Sequence, residues 1–297
     1  MGARDALTEL APGAAVAALV AEEREFAFSQ GDFERVRRLI YARAGISLND
    51  SKQNMVYGRL ARRLRATGVR AFPEYLDRIE SDARFAGGEV QEFVNALTTN
   101  LTAFFREPHH FPILSAFLAA QADGSRLRLW CAAAATGEEP YSMAMTLLEA
   151  LGPETGARVL ATDIDTSVLA HARRGIYRSE DVQACGDARM RRFFLRGRGT
   201  NVGMVRVRPE LERVIEFAPV NLLEPDWEAQ RRFAAVLDVV FLRNVMIYFD
   251  RSMQRRILAR IASVLRRGGL LFVGHSENFT DCRAHFALRG KTVYERI

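Results

Sequence analysis

Residues 127–137 read LRLWCAAAATG and carry the strongest structural signal in the chain. The first half is a continuous apolar run of strand length, and the second half is a run of small residues that ends in Thr-Gly. Residues 141–151 then show the spacing of an amphipathic helix. A strand that is apolar along its whole length and precedes a helix is typical of a parallel sheet buried on both faces. The stretch therefore predicts an α/β fold.

The same alternation recurs towards the C-terminus. Further buried strands are predicted at Arg158–Asp163, 237–241 and 270–274, and helices are predicted from Thr166 onward and over 251–267. The runs at 204–207 and 214–217, with glycines nearby, predict an antiparallel β insertion at about 190–218. Strands that alternate with helices predict a doubly wound sheet interrupted by this insertion.

The chain before this region has a helical pattern. Apolar residues recur at helical spacing from residue 32 to about 80, with Gly45 and Gly68 as stop signals. The pair Gly87-Gly88 predicts a break before a further helix at 90–97. The sequence therefore predicts a small all-helical domain ahead of the α/β domain. We place the boundaries at 1–30 for an N-terminal extension, 31–90 for the helical domain, 91–123 for linker helices and 124–297 for the α/β domain.

Composition excludes several classes of protein. The 297 residues are 48% hydrophobic and 26% charged, as in an ordinary globular chain, and no apolar run reaches the length of a membrane span. A net charge of +6 indicates an acidic partner, which could be nucleic acid, a membrane surface or an acidic protein. The cysteines 131, 185 and 282 are far apart, which favours the reducing cytoplasm without a disulfide or zinc site. No metal site is expected, because no third ligand is apparent near His109-His110, and the pair is interpreted as helix surface.

Two features of the predicted sheet point to a nucleoside ligand. Small residues at 132–137 allow the backbone to approach a ligand closely, and Asp163 at the end of the second strand can accept hydrogen bonds from both ribose hydroxyls. The glycine-rich pyrophosphate loop of dinucleotide-binding folds is absent after the first strand. A nucleoside without phosphates, such as S-adenosylmethionine, needs no such loop, which favours a methyltransferase. Tight helix–strand packing and helix capping would account for the same residues equally well.

Six blocks in order resemble the chemotaxis receptor methyltransferases, the CheR family. They are 96–107 (ALTTNLTAFFRE), 136–142 (TGEEPYS), 161–165 (ATDID), 221–222 (NL), 243–250 (RNVMIYFD) and 274–277 (GHSE). The resemblance covers roughly residues 33–297. One departure is the run Ala132–Ala135, where the family often has glycine or serine.

The resemblance implies methyl esterification of glutamate side chains on chemoreceptors. S-adenosylmethionine would be the methyl donor and S-adenosylhomocysteine the product. Arg106 and Tyr248 are the candidates near the reaction centre. Cofactor contacts carried over from the family fall on Asn100, Thr102, Arg106, Glu138, Asp163, Asn221, Leu222, Arg243 and Asn244.

The family also implies an acidic partner in place of nucleic acid or membrane. The methylation regions of chemoreceptors are acidic helical bundles in the cytoplasm, and Arg59, Arg62 and Arg63 share one helical face that could bind them. The insertion around Gly197, Gly199 and Gly203 resembles a subdomain that tethers a receptor C-terminal peptide in some members. A nucleic-acid methyltransferase and a non-catalytic cofactor-binding module are the alternatives. The first lacks support because no Asn/Asp-Pro-Pro-aromatic or Pro-Cys motif occurs.

Overall fold

The computed structural model describes residues 24–121, 126–277, 279 and 283–297. These residues form two compact units. The first unit comprises residues 24–39 and 48–97, and the second comprises residues 40–47 and 98–297. Residues 1–23 of the predicted N-terminal extension lie outside the described residues.

The first unit is helical, as the sequence predicted. Its helices are α1 (Gln30–Ala44, whose last turn belongs to the second unit), α2 (Gln53–Thr67), α3 (Phe72–Ser81) and α4 (Ala83–Leu97). Gly68 ends α2 with a φ of 70°, in the left-handed region that favours glycine. The predicted break at Gly87-Gly88 is wrong, because α4 runs through both glycines. The helix begins earlier, since the Asp82 carboxylate accepts the backbone N–H groups of Arg84 and Phe85.

A partly buried ion pair holds two helices of this unit together. The Arg63 guanidinium donates two hydrogen bonds, of 2.9 and 2.7 Å, to the carboxylate of Glu89. The Tyr75 hydroxyl donates to the same carboxylate at 2.7 Å, and the Glu89 side chain is only 8% exposed. Removing one partner of such a pair leaves an uncompensated charge. Arg63 therefore supports the fold of this unit through Glu89.

The second unit is built on a mixed seven-stranded sheet. Its strands are β1 (Arg128–Cys131), β2 (Arg158–Asp163), β6 (Ile215–Pro219), β7 (Leu237–Leu242), β8 (Leu265–Val273), β9 (Phe286–Gly290) and β10 (Val293–Arg296). They lie in the order β6-β2-β1-β7-β8-β10-β9, in which the first five strands are parallel and the last two are antiparallel to their neighbours. The hairpin of β9 and β10 is absent from the sequence prediction.

Both faces of this sheet are covered, which confirms the predicted doubly wound α/β class. Leu129 and Cys131 of β1 join one hydrophobic cluster, whereas Trp130 between them joins the other. Successive residues of a strand point to opposite faces, so an apolar run along the whole strand requires a core on each side. The helices of the second unit are α5 (His110–Ala119), α6 (Glu138–Leu151), α7 (Thr166–Arg174), α8 (Gly186–Phe193), α9 (Pro209–Glu212), α10 (Glu228–Phe233) and α11 (Arg251–Val264).

A separate three-stranded antiparallel sheet forms the insertion. Its strands are β3 (Ile176–Arg178), β4 (Phe194–Arg196) and β5 (Met204–Val207), in the order β3-β5-β4. It therefore begins earlier than the predicted 190–218. The assignment of 214–217 to this sheet is wrong, because β6 pairs in parallel with β2 at the edge of the large sheet. An apolar run reveals burial, but it does not reveal the strand with which it pairs.

Two further observations concern the described residues. None of their helices is both long and apolar enough to cross a lipid bilayer. The thiols of Cys131 and Cys185 are buried and free, and Cys282 lies outside the described residues.

Candidate active site

Four loops meet at one edge of the seven-stranded sheet. They follow β2, β1, β7 and β8, which are consecutive neighbours in the sheet. Parallel strands place their carboxyl ends at the same edge, and ligands of open α/β sheets bind there. The structure thus brings together Asp163, the 132–137 loop, the Arg243-Asn244 pair and the 274–277 segment at one edge.

The loop after β1 is shaped by one glycine. Gly137 has a φ of 104°, and a Cβ at this position would lie 2.6 Å from the Tyr177 hydroxyl and 2.9 Å from the Ala172 Cβ. The Tyr177 hydroxyl donates to the carbonyl of Thr136 at 2.8 Å. Only glycine combines this backbone conformation with this close approach. Both the backbone conformation and the packing of this loop therefore require glycine at residue 137.

Asp163 ends β2 with its carboxylate turned towards this loop. One oxygen accepts the backbone N–H of Asp165 and the other accepts that of Ala135, each at 2.9 Å. Burial raises the pKa of Asp163 to about 6, from an ordinary value of 3.8. The backbone N–H of Ile164 also bonds this carboxylate, which has about four lone-pair sites in all. The carboxylate can therefore still accept a hydrogen bond from a ligand hydroxyl.

The 98–102 segment is anchored to the turn that follows β2. The Asn100 amide and the Thr98 hydroxyl both donate to one oxygen of Asp165, at 2.8 and 2.7 Å. The Asn100 side chain is thus engaged with the protein, and Thr102 is half-buried nearby in sequence.

Glu138 lies at the start of α6. The Thr136 hydroxyl donates to its carboxylate at 2.6 Å, and burial raises the pKa of Glu138.

Asn221 and Leu222 follow β6, which is the neighbour of β2. The Asn221 amide donates to the carbonyl of Arg43 at 2.8 Å, and its oxygen accepts the backbone N–H of Leu223 at 3.0 Å. Leu222 is buried in the core on one face of the sheet. Asn221 therefore orders this turn through its side chain.

The Arg243 side chain is engaged within the protein. The side chain is fully buried, and its guanidinium donates to the Glu139 carboxylate at 2.8 Å and to the Arg106 carbonyl at 2.5 Å. The Glu107 carboxylate lies 3.6 Å away, and Glu139 also accepts the Cys131 thiol at 3.1 Å. The sequence analysis assigned Arg243 to cofactor binding, whereas the structure commits its guanidinium to the protein. Such an ion pair depends on tertiary contacts that the sequence does not reveal.

Glu277 organises the loop after β7, a role that the sequence analysis missed. Its carboxylate accepts the backbone N–H groups of Gly274, Asn244 and Met246 at 2.6, 2.9 and 2.8 Å. Asn244 adopts a φ of 56°, which these bonds hold in place. Burial raises the pKa of Glu277. The available signal was its position in the last of the six blocks.

The two candidate residues near the reaction centre are both half-buried. The Arg106 guanidinium donates to the carbonyl of Leu101 at 2.8 Å, at the exposed side of its loop. Tyr248 follows the Arg243-Asn244 pair, and its carbonyl accepts the backbone N–H of Ser47 at 2.9 Å. Arg106 therefore retains donors that can reach a ligand, since a guanidinium carries five N–H groups.

A third potential metal ligand lies beside the histidine pair. Ligand atoms of Glu107, His109 and His110 lie within 4.8 Å of one another, so the sequence analysis missed Glu107 as a neighbour. Burial lowers the pKa of His110 to about 4, and its Nε2 lies 3.1 Å from the Lys291 carbonyl. The buried Arg243 guanidinium already supplies positive charge beside Glu107. This charge opposes a second cation, and we propose no metal ion here.

The edge as a whole suits a nucleoside that carries no phosphate. It offers buried or half-buried carboxylates as hydrogen-bond acceptors and a loop whose single glycine leaves no room for a side chain. A pyrophosphate would instead need several glycine N–H donors at the start of the helix. The residues present therefore fit the adenosine and amino-acid parts of S-adenosylmethionine.

Comparison with known proteins identifies related chains. The chain is 48% identical over 289 residues to the chemotaxis protein methyltransferase of Escherichia coli strain K12, which covers 97% of this chain and 98% of that protein. It is 49% identical, with the same coverage, to the protein of that name from Salmonella typhimurium strain LT2. It is also 49% identical over 273 residues to chemotaxis protein methyltransferase 2 of Pseudomonas aeruginosa PAO1, covering 91% of this chain and 95% of that protein.

Two family models account for almost the whole described chain. The all-alpha domain of CheR methyltransferases matches residues 31–98, and the SAM binding domain of CheR methyltransferases matches residues 100–294. The first match falls on the helical unit, and the second falls on the unit whose sheet edge gathers the candidate site. S-adenosylmethionine is thus the cofactor, and the chain belongs to the CheR methyltransferase family.

Proposed function

We propose that this methyltransferase esterifies glutamate side chains on the cytoplasmic, helical part of chemoreceptors, in adaptation of a chemotaxis-type pathway. The names of its relatives support the pathway. The observation that carries the substrate class is Arg106, a cationic side chain on a loop anchored at the carboxyl edge of the sheet. A guanidinium at this place can pair with a carboxylate substrate.

The reaction needs alignment more than acid–base chemistry. S-adenosylmethionine supplies an electrophilic methyl group on a sulfonium centre. A glutamate has a reference pKa of about 4.3, so it is already ionised near pH 7 and needs no general base. The protein has to hold the carboxylate in line with the methyl group and exclude water. Arg106 would hold the attacking carboxylate, or the carboxylate of the donor itself. The Tyr248 ring would lie beside the sulfonium as a cation–π partner.

The cofactor contacts divide by the part of the molecule that they would reach. We propose that Asp163 accepts the ribose hydroxyls and that Glu138, at the start of α6, accepts a further donor of the cofactor. Backbone groups of the Arg243-Asn244 pair would complete the site, because the Arg243 side chain is engaged elsewhere. Asn100, Thr102, Asn221 and Leu222 would shape its walls.

Receptor recognition is assigned to the helical unit. With Arg63 committed to Glu89, the proposed basic surface reduces to Arg59 and Arg62. Arg59 is half-buried and donates to the carbonyl of Ala96, whereas Arg62 is exposed on α2. Charge on such a surface speeds the capture of an acidic helical bundle and is screened by salt.

The small antiparallel sheet offers a second docking element. Its strands β3 and β4 lie at the two edges, and an extended receptor peptide could add to one of them. Of the glycines predicted to take part, Gly197 has a structural role: a Cβ there would lie 2.0 Å from the Asn201 carbonyl oxygen, so the β4–β5 turn requires glycine at this position. We therefore propose that a receptor peptide binds along a strand edge of this sheet and that the β4–β5 turn shapes that edge.

Replacing Arg62 with alanine is expected to slow receptor methylation most at low ionic strength. The Debye length falls from about 30 Å at 0.01 M salt to about 10 Å at 0.1 M, so salt removes the steering in the parent protein. Initial rates on receptor-containing membranes across a salt series measure the effect. Arg38→Ala removes the same charge from an exposed position on α1 and should follow the parent curve.

Two outcomes would contradict this assignment of Arg62. Parallel salt curves for the parent and Arg62→Ala would show that the residue is only a solvated surface charge. A loss of cofactor affinity would show that it supports the fold. Arg63→Ala should differ from the parent and from Arg62→Ala, since it breaks the ion pair with the buried Glu89. It is expected to lower the free energy of unfolding of the helical unit.

The proposed function is tested by locating the transferred methyl group. The purified protein is incubated with S-adenosylmethionine and receptor-containing membranes, and the receptor is digested and sequenced by tandem mass spectrometry. We expect one methyl group on each of a few glutamates in helical segments. Methyl groups on nucleic acid would support a nucleic-acid methyltransferase instead. Cofactor binding without transfer to any target would support a non-catalytic module.

A further inference from the structure

The segment that carries Arg106 has a strained backbone on both sides of that residue. Phe105 and Glu107 have φ values of 53° and 54°, in the left-handed region that side chains other than glycine rarely adopt. Such conformations cost free energy and persist only where the surroundings impose them. The described contacts of this segment show what imposes them.

Three contacts fix the segment from within the protein. The backbone N–H of Phe105 donates to the Ser142 hydroxyl at 2.9 Å. The Glu107 carboxylate accepts both the backbone N–H and the ring Nδ1 of His275, at 3.2 and 3.1 Å. These bonds and the positive charge of Arg243 hold the pKa of Glu107 below its ordinary value, although burial alone would raise it. The third contact reaches the middle of the segment, where the Arg243 guanidinium donates to the Arg106 carbonyl.

Arg243 is itself fixed by a buried partner. One terminal nitrogen of its guanidinium donates to Glu139, whose other carboxylate oxygen accepts the Cys131 thiol. The second terminal nitrogen donates to the Arg106 carbonyl and lies 3.6 Å from the Glu107 carboxylate. The remaining nitrogen, Nε, is fully buried and has no hydrogen-bond partner among the described residues. The two terminal nitrogens thus join the start of α6 to the strained segment.

We propose that Arg243 is a positioning residue, clamped by Glu139, that acts on the reaction by holding the backbone of Arg106. The proposal rests on the proposed function for its kinetic consequence. The clamp works because a guanidinium is a planar fork that can bond two partners in different directions. A lysine keeps the charge but offers a single ammonium at the end of a flexible chain. Lysine at residue 243 should therefore release the segment without removing the buried charge.

A double-mutant cycle between residues 106 and 243 tests this coupling. Arg106→Ala and Arg243→Lys should affect the same kinetic parameter, because the second change acts through the first residue. Misplacement of a reacting group by about 1 Å costs up to about a hundredfold in rate, so we expect Arg243→Lys to slow methyl transfer ten- to a hundredfold. The double variant should be no slower than Arg106→Ala alone.

Arg266→Lys is the matched control. Arg266 donates to Asp238 at 2.7 Å and to the Gln121 amide oxygen at 2.9 Å, near the opposite end of β7. Its replacement removes the same kind of two-partner contact away from the site. We expect a change in melting temperature comparable in direction to that of Arg243→Lys, with methyl transfer near the parental rate.

Hydrogen exchange supplies a readout that does not depend on the reaction. A peptide covering residues 101–107 should exchange its amide hydrogens faster in Arg243→Lys than in Arg266→Lys or the parent. If Arg243→Lys does not fold, Glu139→Gln weakens the same clamp from its other side and should give a smaller change of the same kind.

The outcomes separate this inference from the proposed function. Multiplicative rate losses in the double variant would overturn the coupling, and so would unchanged exchange in residues 101–107. Cofactor affinity that falls in Arg243→Lys but not in Arg106→Ala would return Arg243 to direct cofactor contact. A parent protein that methylates no receptor would contradict the proposed function. The hydrogen-exchange measurement would still test whether Arg243 holds the backbone of residues 101–107.

Discussion

Replacing Gly137 with alanine is expected to lower the free energy of unfolding by roughly 2–4 kcal/mol. The added Cβ would lie 2.6 Å from the Tyr177 hydroxyl and 2.9 Å from the Ala172 Cβ, at a φ of 104°. The loop must move to relieve these contacts, and the Ala135 N–H would then lose its bond to Asp163. Cofactor affinity should fall about tenfold, because the displaced Asp163 would lose about one of its proposed hydrogen bonds to the ribose hydroxyls.

Gly68→Ala provides the matched control, at the end of α2. Gly68 has φ and ψ of 70° and 11°, in the same left-handed region as Gly137 at 104° and −7°, and a Cβ there would meet no atom within 4 Å. It therefore reports the cost of the backbone conformation alone, about 1–2 kcal/mol. Urea denaturation and calorimetric titration with S-adenosylmethionine measure both variants. Equal losses of stability and unchanged affinity in Gly137→Ala would contradict the close approach that the structure shows.

Asp163→Asn is expected to weaken S-adenosylmethionine binding about tenfold or more near pH 8. Hydrogen bonds to a charged acceptor contribute roughly 1.5–3 kcal/mol each, and the amide replaces a carboxylate that would accept from both ribose hydroxyls. Binding to the parent should also weaken as the pH falls below about 6, where Asp163 becomes protonated. The decline should approach about tenfold per pH unit. Calorimetry from about pH 8 to about pH 5 measures it.

The variant also identifies the group responsible for the pH dependence. Burial raises the pKa of Glu138 as well, so a decline in the parent alone would not distinguish the two carboxyls. If Asp163 is responsible, the curve for Asp163→Asn should be flat below pH 6. A curve parallel to that of the parent, or unchanged affinity near pH 8, would remove Asp163 from the site.

The stability of the unbound protein should change with pH in the opposite sense. The folded pKa of Asp163, about 6, lies above its ordinary value of 3.8. Its contribution to stability is therefore fully present below about pH 4 and is lost as the pH rises through 6. Between these limits the parent should lose stability relative to Asp163→Asn. Denaturation midpoints at several pH values test this expectation without any ligand.

Much of the fold follows from local sequence pattern. The buried strands β2 and β7 were predicted within one residue at each end, because an apolar run bounded by turn residues leaves few alternatives. Strand β8 begins at Leu265, although its predicted start was residue 270. The pairing of strands does not follow from local sequence pattern. The prediction placed 214–217 in the insertion, yet β6 pairs with β2, and nothing in the residues themselves specifies that partner.

The candidate site was located by motif, whereas several roles within it depend on tertiary contacts. Asp163 could be placed from its position after a strand. Arg243 was assigned to cofactor binding from the family resemblance, and Arg63 was assigned to partner binding from its helical spacing. Each instead meets a glutamate that is distant in sequence, Glu139 and Glu89 respectively. The strained backbone of Phe105 and Glu107 also has no sequence signal, since neither is a residue that favours positive φ.

The chemical nature of the methylated group tests the central claim most directly. The protein is incubated with S-adenosylmethionine labelled in its methyl group and with receptor-containing membranes, and the washed product is treated with alkali. A glutamyl methyl ester releases its label as volatile methanol, whereas a methyl group on nitrogen or on a nucleic-acid base stays bound. We predict release of nearly all the label from the receptor, with none transferred when the receptor is omitted. Label that withstands alkali would contradict methylation of a carboxylate.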